Sequence, residues 1–515
     1  MSRTKKTAIN SITGLICSVV SSVLSFVLRA LFIRLLGLEY AGINTLFGDI
    51  LSILNLVDLG FNNAVLFRLY KTIADGDDDS TEMYLTLYRK ICYIVGIIIG
   101  VLGLLCVPFL NDLVKEAPKF KEPLWSLYLI ILLTSVVSHL VNYKSILLIA
   151  KQDRYISTII QYACIFLRHG LQIATLVFFK NIYIYLSVSL LTTVIQGVWT
   201  GIASYKRFHL SWHSKKQLPD GEVKTITKDV GALSVYKLCR TIDSTIDTFL
   251  ISKFIAVSIT AVYGSTMMIL NALHELLGVF NDGMLASVGD LNASGDKKTL
   301  LSVFFQTTHF TFLLYGICTA TLVPLILPFT DWWIDSSLPQ STVFFMLLGF
   351  YMYGMGMNIA TYRNSLGIFR KGWKRPAITA IFNLVFSLVL IQKIGLSGAI
   401  IGTILARVLT GTWYDPYIVL KYGMNSTPYK YYLRYISYFM LTAIASLINF
   451  FIGKMLPNAD SLIRLILSGV VYLICASAFL MGTGFIFEEH KIVLERIQGI
   501  ARNMFKNLRR KKIEE

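Results

Sequence analysis

Charge is scarce in this chain. Only 15% of its 515 residues are Asp, Glu, Lys or Arg, while 55% are hydrophobic, and the mean hydropathy is +0.62. A soluble domain carries roughly 25% charged residues, so composition excludes a water-soluble protein and makes this an integral membrane protein. Metal and thiol chemistry are equally thinly provided. Cys17, Cys92, Cys106, Cys164, Cys239, Cys318 and Cys475 all fall in apolar segments without a CxxC pair, and read as small buried hydrophobes. His139, His274 and His309 are isolated and suit helix contacts better than metal ligation. A nucleotide site is missing too: Gly367 to Gly372 has the spacing of a phosphate loop, but Trp373 stands where a lysine must reach the phosphates. Asp75, Asp77, Asp78 and Asp79 suggest a metal-dependent acidic cluster, yet with Glu82 they suit a solvated loop and the start of a helix.

What the chain has in abundance is long apolar runs. About fourteen of them, each about 18 residues or more, lie between punctuation by charge, Pro, Asn and Gly from about residue 11 to about residue 486. Strands are excluded at this density, because an open edge would leave backbone groups unpaired in lipid. The opening Met-Ser-Arg-Thr-Lys-Lys and the apolar run after it exceed a signal-peptide core and lack an A-x-A site, so an uncleaved first span is expected. The net charge of +18 belongs to the loops of one side rather than to a nucleic-acid surface. One set of loops holds most of the Lys and Arg, including Arg68, Lys71, Arg89, Lys90, Lys206, Arg207, Arg370 and Lys371; the other holds only Arg34, Lys115, Lys119, Lys121, Lys180, Lys253, Lys393 and Lys454. That asymmetry places both termini in the cytoplasm. The outer connections are short, the longest running from Asn111 to Pro123, which leaves no room for an external catalytic domain and argues against an enzyme.

The chain also repeats itself. Tyr40-Ala-Gly42 corresponds to Val262-Tyr-Gly264, Ala74-Asp-Gly-Asp77 to Ala293-Ser-Gly-Asp296, and Lys151 with Arg154 to Lys371 with Lys374. Six spans therefore match the next six, and an even number makes the repeat parallel, with its axis along the membrane normal. The expected organisation is an all-α polytopic membrane protein of about fourteen transmembrane helices. A six-helix lobe occupies 1–204 and a cytoplasmic linker 205–229. The second parallel lobe follows at 230–421, two extra helices at 422–487 and a basic tail at 488–515. In that tail Ile497, Ile500, Met504, Phe505 and Leu508 recur at helical spacing opposite Arg496, Lys506, Arg509 and Arg510, as in a helix lying on an anionic leaflet.

The stretch Gly231 to Lys253 is long enough to span a bilayer yet contains Lys237, Arg240, Asp243 and Asp247. At about 100° per residue these fall within an arc of roughly 120°, and an intramembrane charge marks a substrate or ion path by default. In the first span Ser18, Ser22, Ser25 and Arg29 line one face. Arg168, beside His169, and Arg407 are further cations at membrane depth. Guanidinium groups suit phosphate oxygens, so Arg29, Lys237, Arg240, Arg168 and Arg407 are candidate substrate-binding residues, and Asp243 and Asp247 candidate ion-coupling residues. Structural pairing of Arg240 with Asp247, and snorkelling by Arg168 and Arg407, are the alternatives.

The fourteen spans, the two parallel repeats, the segment Leu35 to Phe67 and the A-x-G-D pattern after the eighth span resemble the polysaccharide transporter branch of the multidrug/oligosaccharidyl-lipid/polysaccharide (MOP) superfamily, Wzx-type flippases included. The resemblance implies transport of an undecaprenyl-pyrophosphate-linked oligosaccharide to the outer leaflet of a bacterial cell membrane. It further implies alternating access, coupling to a proton or sodium gradient, no other cofactor, and work beside a polysaccharide polymerase and glycosyltransferases. A lipid II flippase or a cation-coupled multidrug antiporter of the same superfamily remains an alternative; a membrane glycosyltransferase or a non-transporting scaffold fits less well. Orientation is directly testable. A green fluorescent protein joined after Glu515 is expected to fluoresce and alkaline phosphatase joined there to stay inactive; the opposite pair of results overturns the assignment.

Overall fold

The computed structural model describes residues 3–58, 61–115, 121–214, 216, 218, 221–293, 295–368, 372, 374–456, 461–496 and 498–499. The side chains of 3–13, 15–16, 57–58, 223–237, 281–287 and 293, and the tail positions Ile497 and Ile500 to Arg510 that were expected to lie on the leaflet, fall outside the described residues. Among the described residues the protein is all-α. The chain divides into two compact units, Met1–Gly264 and Ser265–Glu515.

The first unit contains α1 (Arg3–Leu36), α2 (Leu38–Leu54), α3 (Phe61–Asp75), α4 (Asp78–Cys106), α5 (Leu124–Asn142), the short α6 (Ser145–Ala150), α7 (Arg154–Phe178), α8 (Ile182–Phe208) and α9 (Glu222–Phe254). The helix α10 (Val257–Ala293) starts in this unit and runs on into the second. The second unit continues with α11 (Lys297–Ile334), α12 (Gln340–Ser365), α13 (Arg375–Ile394), α14 (Leu396–Leu409), α15 (Gly411–Ile418), α16 (Tyr429–Met455) and α17 (Leu462–Gly484). Among the described residues, ten spans are long and apolar enough to cross a membrane by length and composition. With α2, α7, α9 and α10 at the remaining expected positions, the total is about fourteen.

The repeated sequence anchors perform repeated structural jobs. Gly76 and Gly295 adopt φ of 71° and 77°, a left-handed conformation cheap only for glycine. The next residue then caps a helix: Asp77 accepts from the Ser80 N–H at 2.9 Å and Asp296 from the Thr299 N–H at 3.0 Å. The cap of α4 is thus Asp77; Asp79 and Glu82 lie at that helix start, as expected, and bind the connection after α8: Asp79 pairs with Lys216, and Glu82 accepts from the Ser211 N–H at 2.6 Å. Hydrogen bonds from Ser80 and Thr299 hold both capping carboxyls below their usual range. Their contribution is therefore present near neutral pH and is lost as acid protonates them.

The other anchor pair meets within the first unit. A Cβ at Gly42 would collide with the Val257 carbonyl, and one at Gly264 would press on Thr45. Small residues thus allow α2 and the start of α10 to approach closely. Other crossings use the same device. Gly197 and Gly201 of α8 lie against Val141 and Lys144, and Gly398 and Gly402 of α14 lie against the backbone of Leu390 and Ser387 in α13. Between α13 and α14, Ser387 Oγ and Thr403 Oγ1 donate to Asn383 Oδ1 at 2.9 and 2.8 Å, and Ser387 Oγ also reaches the Ala399 carbonyl at 2.8 Å.

The two extra helices attach through a defect in α11. Pro324 has no N–H to give the carbonyl of Ala320 one turn earlier, and Asn449 of α16 supplies the missing donor at 2.9 Å while also donating to the Tyr472 carbonyl of α17 at 3.0 Å. Gly453 lets α16 close against Pro324 itself. After α17 the chain folds back onto the same helices. His490 Nδ1 lies 2.8 Å from His309 Nε2, Tyr438 Oη lies 3.0 Å from His309 Nδ1, and Arg434 pairs with Glu489 at 3.1 Å.

Two substitutions test this packing by thermal unfolding of purified protein. Asn449→Leu leaves a buried carbonyl unmatched and is expected to cost about 1–3 kcal/mol. Gly402→Val is expected to destabilise by at least about 1–3 kcal/mol, whereas Gly349→Ala, where a Cβ meets nothing within 4 Å, should be neutral or gain up to about 1 kcal/mol. Equal melting points for the Gly402 and Gly349 variants would discard the close-crossing account.

Candidate functional site

Polar groups in the first unit converge on a cavity of about 390 Å³ walled by α1, α2, α5, α7 and α8. Its α7 wall follows from spacing: Arg168, His169 and Gln172 lie on one side of the helix and line the cavity together. The opposite walls present Asn44 and Asn55 from α2 and its following turn, Ser135 and Ser138 from α5, and Tyr185 and Ser189 from α8. Some of these groups satisfy one another. Ser135 Oγ donates to Asn55 Oδ1 at 2.7 Å, and Gln172 Nε2 donates to Ser189 Oγ at 3.0 Å and to the Tyr185 carbonyl at 3.4 Å. Among the described residues Arg168 has neither a hydrogen bond nor an ion pair, and the cavity lining contains no carboxylate.

Arg29, on the α1 side, is differently employed. Its guanidinium donates to the Ala261 carbonyl at 2.9 Å, to Thr45 Oγ1 at 3.2 Å and to the Ala41 carbonyl at 3.4 Å. It thereby ties α1 to α2 and to the first turn of α10. Ser25, one turn before it, faces α7 instead: its hydroxyl donates to the Ser21 carbonyl at 2.9 Å and lies 3.3 Å from His169 Nε2. The polar face of α1 thus serves two neighbours.

The α9 residues differ in depth. Arg240 is exposed and Asp243 half-buried, whereas Asp247 is 6% exposed and accepts a hydrogen bond from Tyr263 Oη at 3.3 Å. Arg240 and Asp247 superpose in projection but sit two turns apart along the axis, which accounts for their different exposure. The side chain of Lys237 lies outside the described residues. Arg407 belongs to a separate cluster within the second unit. Its guanidinium sits over the Tyr353 ring at 5.6 Å, the His274 ring is 4.4 Å from the same tyrosine, and His274 Nδ1 is 2.9 Å from Tyr315 Oη.

Of the five cations expected to line one lumen, the four with described side chains occur in four settings: Arg168 in the cavity, Arg29 in a backbone cradle, Arg240 exposed on α9 and Arg407 on an aromatic face. Asn44, Asn55, Gln172 and Tyr185 are cavity residues that the sequence pattern does not single out. The Arg-His-x-x-Gln spacing on α7 was the available signal for Gln172. Nothing local marks the others, because their convergence depends on tertiary packing.

No known protein family and no curated protein matches the sequence. Solved structures do match in fold. A lipid II flippase, MurJ in an inward closed conformation, superposes with a TM-score of 0.67 at 14% identity, over 92% of this chain and 99% of its own. An inward-facing multidrug resistance MATE transporter of the MOP superfamily gives 0.60 at 15% identity, over 79% and 98%. A MOP transporter from Pyrococcus furiosus, described as having a binding pocket of reverse polarity, gives 0.51 at 14% identity, over 82% and 97%. These neighbours are transporters rather than enzymes, and the fold of this chain is that of the MOP-superfamily flippases and multidrug transporters.

Proposed function

We propose that this protein is a flippase that moves undecaprenyl-pyrophosphate-linked oligosaccharide repeat units, for capsule, exopolysaccharide or O-antigen, from the cytoplasmic to the outer leaflet. The supporting observation is coverage. The likeness to the lipid II flippase takes in 92% of the chain, whereas that to the inward-facing multidrug transporter takes in 79%, and a lipid-linked sugar is the substrate class that the first of these names. The physical need is plain, since sugar hydroxyls and pyrophosphate would lose their water partners in hydrocarbon. A polar route inside the protein replaces those partners while the polyprenyl tail stays in lipid.

In this reading Arg168, Arg240, Lys237, Arg29 and Arg407 supply positive charge for the headgroup at successive stages of alternating access. Asp247, buried beside Tyr263, and Asp243 couple transport to a proton or sodium gradient. The multi-pass chain works in the bacterial cell membrane with both termini cytoplasmic, beside the glycosyltransferases and polymerase that make and consume its substrate.

The test is complementation in a strain deleted for the gene. Wild-type protein is expected to restore surface polysaccharide, and Arg240→Ala to abolish it at unchanged protein level. Asp247→Asn should slow export at least about tenfold, corresponding to about 1.4 kcal/mol at the limiting step. Normal export by Arg240→Ala removes the headgroup role. Failure to restore polysaccharide, together with arrest of cell-wall synthesis on depletion, makes lipid II the substrate; dye efflux in a pump-deficient host instead makes the protein a drug antiporter.

A further inference from the structure

We infer that residues 485–496, which follow α17, form an acid-released clasp: they hold α11, α16 and α17 together while two facing imidazoles are neutral, and let go when both are protonated. Such a clasp is independent of the flippase reading.

The second unit provides a fitted seat for it. Phe487, Glu489, His490 and Val493 are buried although they lie beyond the last of the candidate membrane spans. The His490 ring fills the space beside Gly484, where an added Cβ would come within 2.5 Å of it. The Phe487 ring packs against Tyr438 at 4.8 Å and His309 at 5.6 Å, and the Arg434 guanidinium lies over it at 4.8 Å. Side chains of α11, α16 and α17 thus all close on the same short stretch of chain.

The pair of imidazoles is what makes the clasp titratable. His309 and His490 are each 0% exposed, and His490 Nδ1 faces His309 Nε2 at 2.8 Å with the ring planes 89° apart. At that distance one nitrogen donates and the other accepts, so the gap holds one proton. Tyr438 Oη, 3.0 Å from His309 Nδ1, continues the row in either direction, because a phenol both donates and accepts. Two neutral rings therefore satisfy the row. With both rings protonated, N–H faces N–H across the gap and two like charges meet in surroundings of low dielectric.

The charged neighbours offer little relief. Lys430 and Arg434 of α16 are already answered from the clasp, Lys430 by Glu488 at 3.3 Å and Glu489 at 3.6 Å, and Arg434 by Glu489 at 3.1 Å. Two cations and two anions cancel. The other charged residues of the clasp, Lys491, Glu495 and Arg496, are exposed. On α11 the stretch from Ser302 to Gly316, and on α17 that from Ser477 to Gly484, contain no Asp, Glu, Lys or Arg, and Tyr315 is turned to His274 at 2.9 Å. Burial accordingly holds the His490 imidazole below its usual range. A histidine shifted in this direction takes up its proton on leaving the seat. Docking is then full above about pH 6.5, the ordinary histidine value, and weakens as the pH falls below it.

The experiment is amide hydrogen exchange of the purified full chain in lipid nanodiscs, read over residues 485–496 between about pH 8 and about pH 5 and corrected for the intrinsic pH dependence of exchange, with α16 as the internal control. The clasp is expected to lose protection at least about tenfold between about pH 7.5 and about pH 5.5 while α16 keeps its own. His309→Gln combined with His490→Asn puts amides in place of the facing ring nitrogens, and these take up no proton; that clasp should stay docked at both pH values. His490→Arg, a fixed charge in the same seat, should release it at neutral pH. A flat wild-type profile, a docked His490→Arg clasp, or an undiminished acid release in the double variant overturns the proposal, the last by placing the sensitivity in the Glu488 and Glu489 pairs. Should the double variant dock at no pH, the wild-type profile decides, since a merely structural latch would show no release between those two pH values.

Discussion

A polar group inside a membrane has to find its partner within the protein, because no water is there to substitute. The guanidinium of Arg29 shows how far this one constraint reaches. It is met by two carbonyls and a hydroxyl from α2 and the start of α10, and the helices have to approach closely enough to offer them. That approach is possible because Gly42 and Gly264 present no side chain at the crossing. Asn383, with Ser387 and Thr403 around it, shows the same logic between α13 and α14, and Asn449 shows it at the proline of α11. Position after position, hydrogen-bond supply and helix spacing are a single condition.

The cavity of the first unit gathers polar groups from α2, α5, α7 and α8 in one place. Its walls satisfy part of their own polarity, through Ser135 with Asn55 and Gln172 with Ser189, while Arg168 lines it with neither a hydrogen bond nor an ion pair among the described residues. The polar α9 residues are a different case, since Asp247 is held by Tyr263 and Arg240 is exposed. The polar residues of α7 and of α9 thus lie in different surroundings.

Much of the fold was legible in the sequence. Hydrophobic runs located the helices, and the paired A-D-G-D and A-S-G-D segments announced two turns that prove to be built alike, with a left-handed glycine followed by a capping aspartate. Small-residue spacings were also readable, Gly398 to Gly402 above all, because a glycine every fourth residue marks a close helix contact. The candidate site was legible only in its charges. That Arg29 is consumed by backbone carbonyls, that Arg407 lies over Tyr353 and that Arg168 meets Asn44 across a cavity depend on partners far away in the chain. Helical periodicity gives the direction a residue faces on its own helix and nothing about what comes to meet it.

The repair of α11 by α16 has a consequence in time. Ala320 and Asn449 are 129 residues apart, and a ribosome adds roughly 5–20 residues per second. For on the order of ten seconds after α11 is made, its proline-freed carbonyl has no protein partner of the kind it will finally have. Throughout that interval the nascent helix has to be sheltered by water in the insertion channel, by a chaperone, or by a provisional neighbour. The last two long helices are in this sense the closing step of biogenesis, and a chain stopped before α16 would be marked as unfinished by the Ala320 carbonyl left without its donor.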